Sequence, residues 1–366
     1  VAELNIRAEP IGGEPMPGEL SWPALRRRLL VLGAVLVVIA AVLSLLPGLG
    51  SLRERLATAD PAWIALAVAL QLGSCISYVA AFRAVFCRRM SWRTSYEIGV
   101  SELAANSLLS IGGAGGLALG AWILRRGGMP ADFIARRTVA FFLLTSLANV
   151  SLLVVGGIGL GIGVFHGAPS PWLGIVPAAV GLLGIGLILG VRPLARMLAR
   201  RTAGRKREKA LESLADGVDE ALALLRDAHP GLLLGAAGYV LFDVAVLGVC
   251  FAAFGQEVPP VAVLLMAYLI GQLGGLIPIP GGIGGVDGGL IGTLILYGSG
   301  AVAAASAVIA YRGVVLVVPA LLGVPAMLVL QRRLRQETTD IMACAPDAEV
   351  EILGRGRVPI SDLLAG

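Results

Sequence analysis

Few residues in this chain could do chemistry, and most of them stand inside apolar sequence. Arg312 follows Tyr311 deep in the apolar run Ala301 to Leu330. A guanidinium so far from either end of the run cannot extend to the membrane surface, so it requires an acid, a cage of carbonyls or a hydrated ligand. Asp287 follows Pro278-Ile279-Pro280-Gly281-Gly282-Ile283-Gly284-Gly285 and opens a short apolar segment, where it can cap a helix while orienting Arg312. Backbone amides exposed at a glycine turn, next to a helix N-terminus, form a site suited to an anion such as a phosphate. Gly281, Gly282, Gly284 and Gly285 are therefore candidate phosphate contacts beside Arg312 and Asp287, as are Gly112, Gly113, Gly115 and Gly116 of the earlier cluster.

Around these lie weaker candidates. Glu102 and Asn106 are four residues apart, hence on one helix face, where they could line a polar passage. Asp243, Gln272 and Tyr311 are further candidates for lining it, and Arg125 and Arg126 for meeting an anionic headgroup at its inner mouth. His166 and His229 belong to no metal constellation, and no metal or cofactor is expected. Cys75, Cys87, Cys250 and Cys344 suggest neither a metal cluster nor a disulfide framework and read as free structural thiols. No Walker loop, HExxH or nucleophile elbow is present, so a transporter is expected rather than an enzyme.

The elements that must position these residues are membrane helices. Of 366 residues 57% are apolar and only 14% charged, well outside the usual soluble range. The excess is gathered into runs long enough to cross a hydrocarbon core. With 50 glycines and few aromatic residues, helix contacts must often use small side chains. A net charge of +5 does not imply nucleic-acid binding, because the arginines punctuate apolar runs and instead set orientation.

Reading the runs in order, residues 1–25 form a flexible or interfacial leader and 26–335 a transmembrane domain. Residues 336–366 form a short solvated cytoplasmic tail. Six full crossings are expected, at Leu29 to Leu46, Ala62 to Phe82, Thr138 to Phe165, Trp172 to Val191, Pro230 to Phe254 and Ala301 to Leu330. The stretches Ile98 to Leu124 and Val261 to Leu296 are each broken by glycine and read as re-entrant helical hairpins, one from each side. The two glycine clusters align at a displacement of 169 residues, Gly112 with Gly281. This predicts an all-α fold with an inverted-topology repeat, repeat one about 62–165 and repeat two about 230–330. A basic, amphipathic connection at 192–229 joins them, and both termini face the cytoplasm.

Pro280-Gly281-Gly282-Ile283-Gly284-Gly285-Val286-Asp287 and Tyr311-Arg312 resemble the paired signatures of the lysylphosphatidylglycerol synthase transmembrane, or flippase-like, family. The resemblance covers most of Arg26 to Arg335. It implies a multi-pass protein of a bacterial or archaeal plasma membrane that moves phospholipids or polyprenyl-linked lipids between leaflets. The family commonly has Glu where this chain has Asp287, and in the first repeat often has Glu and then Arg after the glycines, where this chain has Leu117-Ala118-Leu119-Gly120. Fused members carry a cytoplasmic aminoacyl-transfer domain; this sequence looks like the translocation module alone.

The expected partner is an anionic phospholipid or polyprenyl-phosphate-linked lipid, carried through a polar cavity between the hairpins. Two alternatives stand beside it: a scaffold for a glycosyltransferase or lipid-modifying enzyme, and an intramembrane lipid transferase.

Overall fold

A computed structural model describes residues 59–108, 114–199, 205–227, 229–276, 284–333, 341, 349–352 and 356–359. The expected leader and the expected crossing Leu29 to Leu46 lie outside the described residues.

The first described helix is α1 (Pro61–Phe86), where Pro61 occupies the first turn and the Asp60 side chain accepts from the Ala62 amide at 2.9 Å, meeting one of the donors a helix start leaves free. Then follow α2 (Trp92–Leu108), α3 (Ala114–Arg126), α4 (Ala131–Gly161), α5 (Trp172–Ala199) and α6 (Arg205–Arg226). The next helix, α7 (Pro230–Ala253), repeats the proline start, with His229 Nδ1 accepting from the Gly231 amide at 3.1 Å. It is followed by α8 (Val261–Gln272), a 3-10 turn (Leu273–Leu276), α9 (Gly285–Leu296) and α10 (Ala301–Arg333). Pro319 and Pro325 sit inside α10, which continues past both.

Among the described residues four helices are long and apolar enough to cross a membrane: α1, α4, α7 and α10. The expected crossing at Trp172 to Val191 corresponds to α5, whose described apolar stretch is the shorter Trp172–Leu187. Large apolar side chains stand outward on these helices, among them Leu183 at 74% and Leu234 at 71% exposure. Such a surface is stable against lipid rather than water. The chain is a multi-pass, helical membrane protein.

Helix starts recur at one displacement. Pro61 and Pro230, and Trp92 and Val261, are each 169 residues apart. The two units, α1 to α4 and α7 to α10, also pack reciprocally: α2 lies on α10 as α8 lies on α4, and α1 lies on α7. The α1/α7 contact is antiparallel, since the Asp60 amide bonds the Ala253 carbonyl at 2.9 Å while Ser74 meets Asp243 at mid-helix. Small residues let the two backbones approach: a Cβ on Gly235 would come within 2.6 Å of the Ala81 nitrogen.

Each unit also holds a helical hairpin, α2 packed on α3 and α8 on α9. In the first unit, Arg137 Nη1 donates to the Val85 carbonyl at 2.6 Å, joining the end of α1 to the start of α4. In the second, Tyr297 Oη at the end of α9 donates to the Leu173 carbonyl at 2.7 Å, at the opposite end, where α4 turns into α5.

The amphipathic connection folds as α6 and packs on protein. Val218, Leu222 and Leu225 line a small cavity with Leu143, Leu144 and Leu147 of α4 and Ile185 of α5, and Glu220 pairs with Arg137 at 3.0 Å. Its apolar stripe is thus satisfied by α4 and α5.

Two expectations change. The tail holds a short antiparallel hairpin, β1 (Glu349–Ile352) on β2 (Gly356–Pro359), with Glu349 opposite Pro359. The all-α description therefore applies to the membrane helices and not to the tail, where the alternation Glu349-Val350-Glu351-Ile352 has the period of a strand. Cys75 and Cys250 are buried free thiols, but Cys87 is disulfide-bonded. Sequence spacing does not report the return of the tail to that end, where Ile341 joins the core against which Cys87 packs.

Candidate functional site

Arg312 sits in the first half of α10 and Asp287 in the first turn of α9. Their side chains are 13% and 25% exposed, and Arg312 Nε lies 2.7 Å from Asp287 Oδ1. The contact is an ion pair whose N–H does not point along a hydrogen-bond axis at that oxygen. The other oxygen, Oδ2, accepts from the Gly284 amide at 2.8 Å. One carboxylate thus caps α9 and neutralises the guanidinium. Gly284 has φ +90°, a left-handed conformation that favours glycine and aims its amide back at Asp287.

The seam between the arms of this hairpin is made of glycine. A Cβ on Gly274 would overlap the Gly285 carbonyl, and one on Gly289 would come within 3.1 Å of the Gly271 backbone. The N-terminus of α9, with its unpaired amides, is therefore locked against the 3-10 turn. Gly281 and Gly282 lie outside the described residues. Gln272, at the end of α8, is exposed.

In the first hairpin the polar residues are engaged with the backbone fold. Asn106 Oδ1 accepts from the Gly116 amide at 2.7 Å, tying the end of α2 to the start of α3. Glu102 is buried and accepts from Tyr78 Oη at 2.9 Å through Oε2, while its Oε1 fills the space a Cβ on Gly120 would occupy. Gly115 and Gly116 are buried, and Gly112 and Gly113 lie outside the described residues. Gly116 and Gly120 precede Gly285 and Gly289 by 169 residues, so the same pair of glycines forms the seam in both hairpins. At the positions equivalent to Asp287 and Arg312 the first unit has Ala118 and Leu143. The ion pair is one-sided.

Asp243 lies in the α1/α7 contact, buried, bonded to Ser74 Oγ at 2.6 Å and Tyr268 Oη at 3.0 Å. Tyr311 is fully buried and faces it electrostatically from α10.

Arg125 and Arg126 end α3, with Arg126 over the Trp122 ring at 5.3 Å. They share the basic end of the bundle, where Glu97 joins Arg93 at 3.1 Å to Arg333 at 3.0 Å and Arg88 pairs with Asp227.

The structure therefore brings Arg312, Asp287 and Gly284 together, and Glu102, Asn106 and Gly116 together. It places Asp243 with Tyr311 in a third cluster. Ser74, Tyr268, Gln71 and the seam glycines Gly120, Gly271, Gly274 and Gly289 were not expected. The displacement of 169 residues, carried beyond the glycine clusters, pairs Ser74 with Asp243 and Gly120 with Gly289. The tyrosines carry no such signal.

Among the described residues no group of three or more His, Cys, Asp or Glu side chains is placed to hold a metal. A cavity of about 350 Å³ is lined by apolar residues such as Val155, Phe165, Val261 and Leu265 and holds neither Arg312 nor Asp287. It is a gap between α4 and α8, open to lipid-like rather than polar ligands.

A comparison with curated proteins gives no match. A family model described as the lysylphosphatidylglycerol synthase TM region matches residues 30–323, taking in both hairpins, the α1/α7 contact and the Asp287–Arg312 pair. The chain belongs to the lysylphosphatidylglycerol synthase transmembrane family.

Proposed function

We propose that this protein translocates a phosphate-bearing lipid, a phospholipid or polyprenyl-linked lipid, between the leaflets of a bacterial or archaeal plasma membrane. In this reading α1 to α4 and α7 to α10 form an inverted-topology repeat, and α2/α3 and α8/α9 are re-entrant hairpins whose glycine turns border a polar cavity. The basic end, with both termini, faces the cytoplasm.

The observation that carries the reading is the Asp287–Arg312 pair. A largely shielded arginine meets a carboxylate that also occupies the amide at the start of α9. A lipid phosphate offers the same chemistry in larger measure: oxygen acceptors for the guanidinium and for the Gly284 and Gly285 amides. Exchange of Asp287 for the phosphate would keep the guanidinium paired throughout, so the headgroup could pass without full desolvation. Opposed rocking of the two units would present the site to either leaflet. The acyl or isoprenoid tails stay in lipid throughout.

The test is leaflet movement in liposomes holding only this protein. Labelled phosphate lipids should cross faster than in empty vesicles, and a phosphate-free lipid of equal tail length should not. Equal rates for both, or no acceleration across a broad phosphate panel, would reject the reading. A covalently altered lipid would favour a transferase.

A further inference from the structure

A second polar cluster lies across the contact between the two units, and the ion pair does not use it. Asp243 accepts from Ser74 of α1 and Tyr268 of α8, and the Gln71 side chain of α1 lies against it. Ser74 Oγ additionally reaches the Tyr239 carbonyl at 3.3 Å. The titratable groups around Asp243 are Cys75 from α1, Tyr239 from α7 itself, Tyr268 from α8 and Tyr311 from α10. Arg312 acts on Tyr311 from the same helix, and α4, which also packs on α7, brings Leu152 and Leu153 to this core. Beyond Tyr239 lies Tyr78, their rings 5.5 Å apart, and Tyr78 holds Glu102. Among the described residues no cation pairs with Asp243.

Two buried oxygens in this cluster have no hydrogen-bond partner: Gln71 Oε1 and Tyr311 Oη. Gln71 is 2% exposed and Tyr311 not at all. The cluster therefore combines an uncompensated carboxylate at membrane depth with acceptors that lack a donor, and both conditions are costly. One proton on Asp243 eases both, because the carboxyl becomes neutral and gains an O–H to offer to one of the two oxygens. The existing bonds from Ser74 and Tyr268 can stay in place. A sodium ion would instead require both hydroxyl hydrogens to turn away from the carboxylate.

We propose that Asp243 is a proton-binding site inside the membrane domain and that loading and releasing this proton biases the two units against each other. Ser74 and Gln71 belong to the first unit, Asp243, Tyr268 and Tyr311 to the second, so the change in charge and bonding falls on the seam along which the units would rock. Each cycle takes one proton onto a carboxylate oxygen from one side and gives it up to the other. The coupling rests on the translocation reading, whereas the protonation does not.

Infrared titration of the purified full chain in detergent, in sodium-free buffer, tests the site itself. A protonated-carboxyl band should grow on acidification, be lost in Asp243→Asn and be unchanged by added sodium. Glu102→Gln identifies any part due to that acid. An identical titration in wild type and Asp243→Asn, or a band that moves with sodium, would overturn the proposal. If Asp243→Asn does not insert, Asp243→Glu should retain a band at a shifted position, and an unshifted band would count equally against it. In liposomes, an imposed proton gradient should change the lipid rate of wild type severalfold and that of Asp243→Asn not at all. A titrating Asp243 with a gradient-insensitive lipid rate would overturn the coupling. Absent lipid movement with titration intact would count against the translocation reading instead.

Discussion

Ser74 and Asp243 stand 169 residues apart, at matching places on α1 and α7, and touch each other, Oγ to Oδ1 at 2.6 Å. Gly73 and Phe242, the residues before them, also meet: a Cβ on Gly73 would lie 3.0 Å from the Phe242 ring. Matching residues of the two units thus lie against each other along the α1/α7 contact. The packing of α2 on α10 and of α8 on α4 is reciprocal in the same way.

That relationship predicts a rescue. Ser74→Asp should set two carboxylates face to face and lower the melting temperature of the detergent-solubilised protein, because both cannot ionise there. The double variant Ser74→Asp/Asp243→Ser restores one carboxylate facing one hydroxyl across the same contact and should recover most of the loss. A double variant no more stable than Ser74→Asp would show that the two positions are not equivalent.

Much of this was legible in the sequence, and the reasons are physical. The glycine clusters marked where α2 gives way to α3 and α8 to α9, because glycine is a poor helix former. Asp287 and Arg312 stood out because charge inside an apolar run demands a partner. The engagement of Asn106 with Gly116 was not legible, because an amide that closes a turn and one that lines a passage read alike. Ser74 and Tyr268 escaped notice since hydroxyls are unremarkable in membrane helices until a buried acid is placed against them. The return of Ile341 onto Gly127 is a long-range contact with no local pattern.

Asp287 has two bonds that substitution can separate. Asp287→Asn keeps an oxygen for the Gly284 amide and should retain near wild-type stability while losing the charge that competes for Arg312. Lipid phosphate should then bind more tightly and leave more slowly. Asp287→Ala removes the cap as well and should cost about 1 kcal/mol further. Thermal melts with and without added phospholipid check both, and equal stability of the two variants would contradict the double role.

The glycine seams predict a contrast. A Cβ on Gly120 would overlap Glu102 Oε1, whereas one on Gly292 meets nothing within 4 Å. Gly120→Ala should destabilise by about 1–3 kcal/mol, as overpacking does. Gly292→Ala should be neutral or slightly stabilising, since alanine is the better helix former. Comparable melts for the two variants would refute the seam.

Asn106→Ala should strand the Gly116 amide and cost about 1–3 kcal/mol. Asn106→Asp keeps an acceptor and should preserve more of the stability at neutral pH. If both variants melt together with wild type, the bond at 2.7 Å does not hold the first hairpin closed.

The exchange of a lipid phosphate for Asp287 on Arg312 is tested most directly by a cryo-electron microscopy structure with a phosphate lipid bound. The account predicts phosphate density against the Arg312 guanidinium and the first amides of α9, with the Asp287 carboxylate drawn away from its 2.7 Å contact. A lipid headgroup seated elsewhere, with that contact intact, would contradict it.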